Sequence, residues 1–190
     1  MKSHVTRLLA VSLFACKQFD PPHAQLIEGH AEVGKYTSSS GETCTGTLVG
    51  SQVVLTAAHC VDFISSRTTQ EGGIFTINHA PEGRLSFGVD LFRSFGNMEG
   101  DNDIALLHLN RAVPRGLAQP AGLAVSYPSE GTEVVFYGFG NCLRRSHSIF
   151  TKRQLVAVYF DLQPTQFLCE SDSGGPLRLA MDNTIFGVAS

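Results

Sequence analysis

From residue 45 onward the chain is a succession of short apolar runs, each closed by turn residues: TGTLVG, VVLTAA, GIFTINHA, IALLHL, EVVFYGFG, QLVAVYF and TIFGVAS. They are rich in Val, Ile, Thr, Phe and Tyr, side chains that pack well on a pleated surface. No run is long enough for an amphipathic helix, and no 3.6-residue period is sustained. Many short strands with frequent turn signals predict an all-β sandwich or barrel. The segment TAAHCV has room for a single helical turn. The stretch PRGLAQPAGLA, residues 114–124, separates two clusters of runs and reads as a connector between two halves. Residues 17–43 are polar, broken by DPP and TSSSGE, and read as a linker or loop-rich entry. With 190 residues, 43% hydrophobic and 16% charged, the chain can bury one ordinary globular core.

Several classes of function are excluded early. The net charge is −3 and no basic run is present, so nothing points to nucleic acid. No apolar stretch approaches the roughly 20 residues that a transmembrane helix needs. Lys2 and Arg7 precede the apolar run LLAVSLFA, a pattern of export signals. The expected organisation is residues 1–24 as signal peptide or lipoprotein signal plus linker, and residues 25–190 as one domain. Two endings fit the signal: cleavage between Ala15 and Ala24, or a lipobox ending at Cys16, which would then carry a lipid anchor. The first gives a secreted, extracellular protein; the second gives one lipid-anchored at a bacterial cell envelope. Setting Cys16 aside leaves Cys44, Cys60, Cys142 and Cys169, an even number that suits an oxidising compartment. No CxxC pair and no His/Cys spacing for zinc is present, so no metal is expected.

Three strings carry chemistry. LTAAHC places His59 among small neighbours that let a ring emerge from a wall. DNDIALLHL places Asp103 at the entry to an apolar strand, where a carboxylate needs hydrogen-bond donors. CESDSGGPL surrounds Ser173 with Gly174 and Gly175, which permit close backbone approach. Taken singly, each has a plain alternative: a structural histidine, a turn acid, a surface turn. Acyl transfer by serine requires all three groups, together with backbone N–H donors for the oxyanion. His79 and His108 read as core residues of their strands rather than catalytic ones, and Glu71 and Glu82 as solvated loop acids, so no calcium set is expected.

The order TAAHC, DNDIALL, DSGGP resembles that of the chymotrypsin/trypsin-like serine proteases, from about Cys44 to Ser190. The resemblance implies two antiparallel β-barrels with the site in the cleft between them. It implies His59 as general base, Asp103 as its orienting acid and Ser173 as the nucleophile that forms an acyl-enzyme. The oxyanion hole would use the N–H groups of Ser171 and Ser173. Cys44 and Cys60 match the family disulfide that braces the histidine loop. Ser190 matches the start of the substrate-pairing strand, and Phe167 falls at the base of the specificity pocket. The implied activity is hydrolysis of polypeptide substrates, with no cofactor and with a possible activating protease.

Four departures qualify these expectations. Ser171 stands where the family has glycine, and a side chain there is expected to turn the peptide and remove one donor, worth about 2.7–4 kcal/mol. The activation pair would be the new amine of Ile27 with Asp172, yet Ile27 lies 17 residues before Cys44, closer than is usual. Relatives continue for several tens of residues past the position of Ser190, so the second barrel is expected to be incomplete, with an exposed edge. Cys169 either bridges Cys142 or both remain free thiols. The rival function is a catalytically weak or inactive binding module of the same fold. An α/β-hydrolase fits poorly, since Ser171 occupies the first glycine of Gly-x-Ser-x-Gly and βαβ texture is absent.

Overall fold

A computed structural model describes residues 25–26, 29–61, 72–79, 83–96, 102–140, 153–158 and 168–190. Twelve strands account for the regular structure of these residues, and among them no helix is present. They are β1 (Gln25–Leu26), β2 (Val33–Thr37), β3 (Thr43–Gly50), β4 (Val53–Thr56), β5 (Ile74–His79), β6 (Gly83–Ser94), β7 (Ala105–Leu109), β8 (Gly122–Leu123), β9 (Glu133–Gly138), β10 (Arg153–Val158), β11 (Pro176–Leu179) and β12 (Thr184–Val188).

The first sheet closes on itself in the order β2-β3-β4-β7-β6-β5. Every pairing around it is antiparallel, and closure leaves no unpaired edge. Alternation along the strands fills its interior. In β7, Ala105, Leu107 and Leu109 point inward and are fully buried. They meet Tyr36, Leu48, Val54, Phe75, Ile77, Phe87 and Val89 in one cluster. Each such side chain contributes roughly 1.5–3 kcal/mol through burial. The Tyr36 hydroxyl donates to the Gly72 carbonyl at 2.5 Å, which satisfies its polar end inside the barrel. Burial holds that phenol well above its ordinary pKa.

The second sheet is open, in the order β1-β10-β9-β11-β12-β8. Its pairings are antiparallel except β8 with β12, which is parallel. The central β9 is buried on both faces from Val134 to Gly138, in keeping with a strand covered from both sides. The fold is therefore all-β, with one closed barrel and a second, partial one. The stretch 114–124 does connect the two halves, leaving the first barrel after β7 and entering the second sheet at β8.

The seven runs read from the sequence coincide with β3, β4, β5, β7, β9, β10 and β12. The entry segment is different. Within residues 17–43, VGKYT is not linker but the buried strand β2. Its polarity concealed it: Gly34 is the residue against which the Phe75 ring packs, and Lys35 is buried with its ammonium pKa lowered by desolvation. The TAAHCV segment forms two successive i→i+3 turns rather than a helix, with Cys60 N–H to Ala57 O and Val61 N–H to Ala58 O. Of the sequence-derived candidates, Cys16, Ile27, Glu71, Glu82, Cys142 and Phe167 lie outside the described residues.

Candidate active site

The faces of β3 divide the labour that sets up the site. Cys44, Gly46 and Leu48 point into the closed barrel, whereas Thr43, Thr45 and Thr47 point out of it. The outward face meets the second sheet, where Val33 packs with Val135, Tyr137 and Phe139. The loop that follows Cys169 is held in this seam.

His59 rides on the turn after β4, and Asp103 on the turn before β7, the strand paired with β4. Strand pairing alone therefore brings together two residues 44 positions apart. The Asp103 carboxylate accepts from the backbone N–H of His59 at 2.8 Å through Oδ1 and from its ring Nδ1 at 2.6 Å through Oδ2. A carboxylate accepts only, so in the neutral imidazole the proton resides on Nδ1 and Nε2 keeps the lone pair of a base. Ser190 Oγ also donates to Asp103 Oδ2, at 2.5 Å. Burial alone would raise the Asp103 pKa, but the hydrogen bonds from Ser190 and His59, with the charge of the His59 ring, bring it below the ordinary carboxylate value. Asn102, with φ +71°, makes the sharp entry to this turn, and asparagine tolerates that region better than most residues.

Cys44 and Cys60 form a disulfide, as the resemblance implied. A ring nitrogen of His59 and the two sulfurs all lie within 4.8 Å of one another. With the sulfurs bonded to each other there is no thiolate to ligate zinc, so the grouping is a brace for the histidine loop.

The loop that carries Ser173 is fixed on both sides. Thr45 N–H donates to Ser173 O at 2.8 Å, and Gly174 N–H to Ala189 O at 2.7 Å. Gly174 has φ +82°, and a Cβ there would lie 2.1 Å from Thr56 Oγ1 and 2.2 Å from Thr45 O. Only glycine fits, which accounts for the residue after the serine. The same contact brings Ser173 beside the β4 end that carries His59. No hydrogen bond between Ser173 Oγ and His59 forms among the described residues; such contacts commonly tighten only when substrate is bound.

Asp172 is buried, and its carboxylate accepts from Gly140 N–H at 2.7 Å and from Cys169 N–H at 2.8 Å. Cys169 is itself disulfide-bonded, which removes the reading of two free thiols.

Ser171 has φ +76°, so its side chain has not driven it from the left-handed region where glycine rests without strain. That conformation costs about 1–2 kcal/mol for a residue with a Cβ. Two contacts offset it: Thr45 Oγ1 donates to Ser171 O at 2.8 Å, and Thr43 Oγ1 hydrogen-bonds Ser171 Oγ at 2.5 Å. At roughly 0.5–1.5 kcal/mol each, they are of the right size to balance the strain. Among the described residues, no acceptor takes the N–H of Ser171 or of Ser173. Sequence reasoning missed Thr43 and Thr45, although the alternate threonines of TCTGT on an otherwise buried strand were a signal of a polar partner across that face.

The comparisons with known proteins agree with this architecture. Trypsin delta of Drosophila melanogaster is 27% identical over 167 residues, 73% of this chain and 65% of that protein. Serine protease SP24D of Anopheles gambiae is 30% identical over 174 residues, 78% of this chain and 62% of that protein. The chain thus spans less than two thirds of the length of these curated relatives. Among solved structures, human heparin binding protein superposes with a TM-score of 0.68 at 18% identity, covering 88% of this chain and 83% of its own. A scabies mite inactivated protease paralogue superposes with a TM-score of 0.63 at 22% identity, covering 85% and 83%. At these identities the two structures speak for the fold alone. The family model described as Trypsin matches residues 24–190, which take in every described residue, and the chain belongs to that family.

Proposed function

We propose that the chain is a secreted serine endopeptidase that hydrolyses peptide bonds through His59, Asp103 and Ser173. The observation that carries this reading is the two-point grip of Asp103 on His59, at 2.8 and 2.6 Å, which leaves Nε2 as the free base. In the proposed reaction Ser173 Oγ attacks the substrate carbonyl while its proton passes to His59 Nε2. Asp103 stabilises the imidazolium that results. The oxyanion is received by the N–H groups of Ser171 and Ser173. Collapse expels the amine, which takes the proton from His59, and leaves an acyl-enzyme. Water then attacks the acyl carbon, with His59 again as base. The family implies polypeptide substrates; Ser190 and Phe167 are the residues proposed to face them.

The maturation scheme belongs to the same proposal. Residues 1–24 comprise the export signal plus linker and residues 25–190 the protease domain, with a lipid anchor at Cys16 as the alternative to a free secreted form. An activating protease would cut before Ile27, and the new amine would pair with Asp172, whose burial fits an acceptor of buried positive charge.

A second reading, a catalytically weak or inactive module, is favoured by Ser171 at the oxyanion position and by the open contact between Ser173 and His59. A fluorophosphonate probe separates the two. Labelling that S173A and H59A abolish supports the protease; a wild type that labels no faster than S173A supports the module.

A further inference from the structure

We propose that Thr45 and Thr43 are positioning residues for oxyanion binding: their hydroxyls hold Ser171 in the left-handed conformation that a glycine would adopt unaided. This rests on the reading of Ser173 as the nucleophile.

The two threonines leave the same face of β3, two positions apart, and engage different arms of one residue. Thr45 Oγ1 takes the Ser171 carbonyl at 2.8 Å, and Thr43 Oγ1 meets its Oγ at 2.5 Å. The Cα of Ser171 is tetrahedral. Once its carbonyl carbon and its Cβ are both anchored, the direction of its nitrogen is determined. At φ +76° the peptide that bears the Ser171 N–H is then set in one orientation. Release of either anchor lets Ser171 relax to negative φ, and that relaxation swings its N–H away.

Thr45 is suited to the task because its hydroxyl proton is already directed. Phe139 N–H donates to Thr45 Oγ1 at 3.0 Å, so the hydroxyl is left to donate its own proton to Ser171 O. The main chain of Thr45 is equally committed, with its N–H on Ser173 O and its carbonyl receiving Thr56 Oγ1, both at 2.8 Å. Thr45 is fully buried. One residue thus ties the closed barrel to the carbonyls of both residues whose N–H groups are proposed to receive the oxyanion, and to the end of β9.

The test is a set of four proteins, wild type, T45V, T43V/T45V and T43V/T45V/S171G, with S173A measured alongside as the inactive blank. Steady-state kinetics on a peptide substrate and melting temperature are measured for each. The expected result is a kcat lowered roughly 10- to 100-fold in T43V/T45V with KM changed less than about twofold, below the ceiling of about 10²–10³-fold for full loss of one oxyanion donor. T45V alone falls between. Adding S171G restores most of kcat, because glycine holds the left-handed backbone without the two hydroxyls. A crystal structure of T43V/T45V is expected to show Ser171 at negative φ. A double variant with wild-type kcat overturns the inference, and so does one whose loss S171G fails to rescue, since the threonines would then act through folding. A wild type no faster than S173A overturns the catalytic reading first and this inference with it.

Discussion

Glu32 and Arg178 form an ion pair across the seam between the two sheets, with Arg178 Nη1 2.8 Å from Glu32 Oε1 and both side chains almost wholly buried. Glu32 immediately precedes β2, and Arg178 lies in β11, five residues after Ser173. His30 adds to the cluster, with Nδ1 3.1 Å from each partner and Nε2 3.1 Å from the Tyr137 hydroxyl. The Arg178 guanidinium lies over the Tyr137 ring, 5.1 Å from its centroid.

Breaking this pair from one side is expected to cost far more than replacing it. E32A leaves a buried guanidinium without its carboxylate, and a loss of about 3–5 kcal/mol is the usual result. At roughly 2–4 °C per kcal/mol for a chain of this size, melting falls by roughly 6–20 °C. E32L/R178M, which removes both charges, is expected to recover at least half of that loss. Thermal melts of the three proteins check it. An E32A variant within 2 °C of wild type would show that the pair is solvated and contributes little.

Asp103 is expected to make the fold sensitive to acid. Its native pKa lies below the ordinary value, so the unfolded chain binds the proton more readily than the native one. The stabilisation is fully present above the unfolded pKa, about 3.9, and is lost as pH falls through the lower native value. S190A removes the hydrogen bond that opposes burial most strongly and moves the native pKa back toward the unfolded one, so the loss should be smaller and complete at higher pH. Denaturant unfolding between pH 7 and 2.5 reads this directly. Identical profiles for wild type, S190A and D103N would show that the carboxylate does not titrate with folding.

D103N separates geometry from charge at the same position. The amide keeps the size of the carboxylate but presents a donor to one of its three contacts, and with that donor on Nδ1 the imidazole is driven to the tautomer with its proton on Nε2. A ring protonated there cannot accept from Ser173. A fall in kcat of about 10⁴-fold is expected, a figure carried over from trypsin itself, the type case of this chemistry. Peptide hydrolysis and fluorophosphonate labelling check it. A variant that loses less than tenfold would remove Asp103 from the proposed triad.

What was legible in the sequence was local. The runs that became β3, β4, β7, β9 and β12 carry their strand character in their own residues, and so do the three motif strings. Long-range polar partnerships were not legible. Glu32 and Arg178 are 146 positions apart and look like ordinary surface charges until the sheets pack. β2 was hidden because a buried strand at a seam can contain Gly34 and Lys35, which dilute its apolar signal. Ser190 was read for substrate alone, because nothing in GVAS foretells a hydrogen bond to Asp103, 87 positions earlier. The conformation of Ser171 was misjudged for the same reason: its partners Thr43 and Thr45 lie 128 and 126 positions away.

The residue after Ser173 offers the sharpest test of how the loop is seated. G174A would place a methyl group 2.1 Å from Thr56 Oγ1, 2.2 Å from Thr45 O and 3.0 Å from Ala57 N, at a backbone φ of +82°. The left-handed backbone costs about 1–2 kcal/mol once a Cβ is present, and overpacking against a rigid strand adds about 1–3 kcal/mol. Neither backbone atom can yield, because Thr45 O is hydrogen-bonded to Thr56 and Ala57 precedes the turn that carries His59. The loop must therefore move, and Ser173 moves with it. A displacement near 1 Å between reacting groups typically costs about 10²-fold in rate. G174A is thus expected to lower the melting temperature by roughly 4–20 °C and kcat by about 10²-fold or more. Melting and kinetics on one preparation decide it; a G174A protein that melts and turns over like wild type would mean that Gly174 does not lie against β3 and β4.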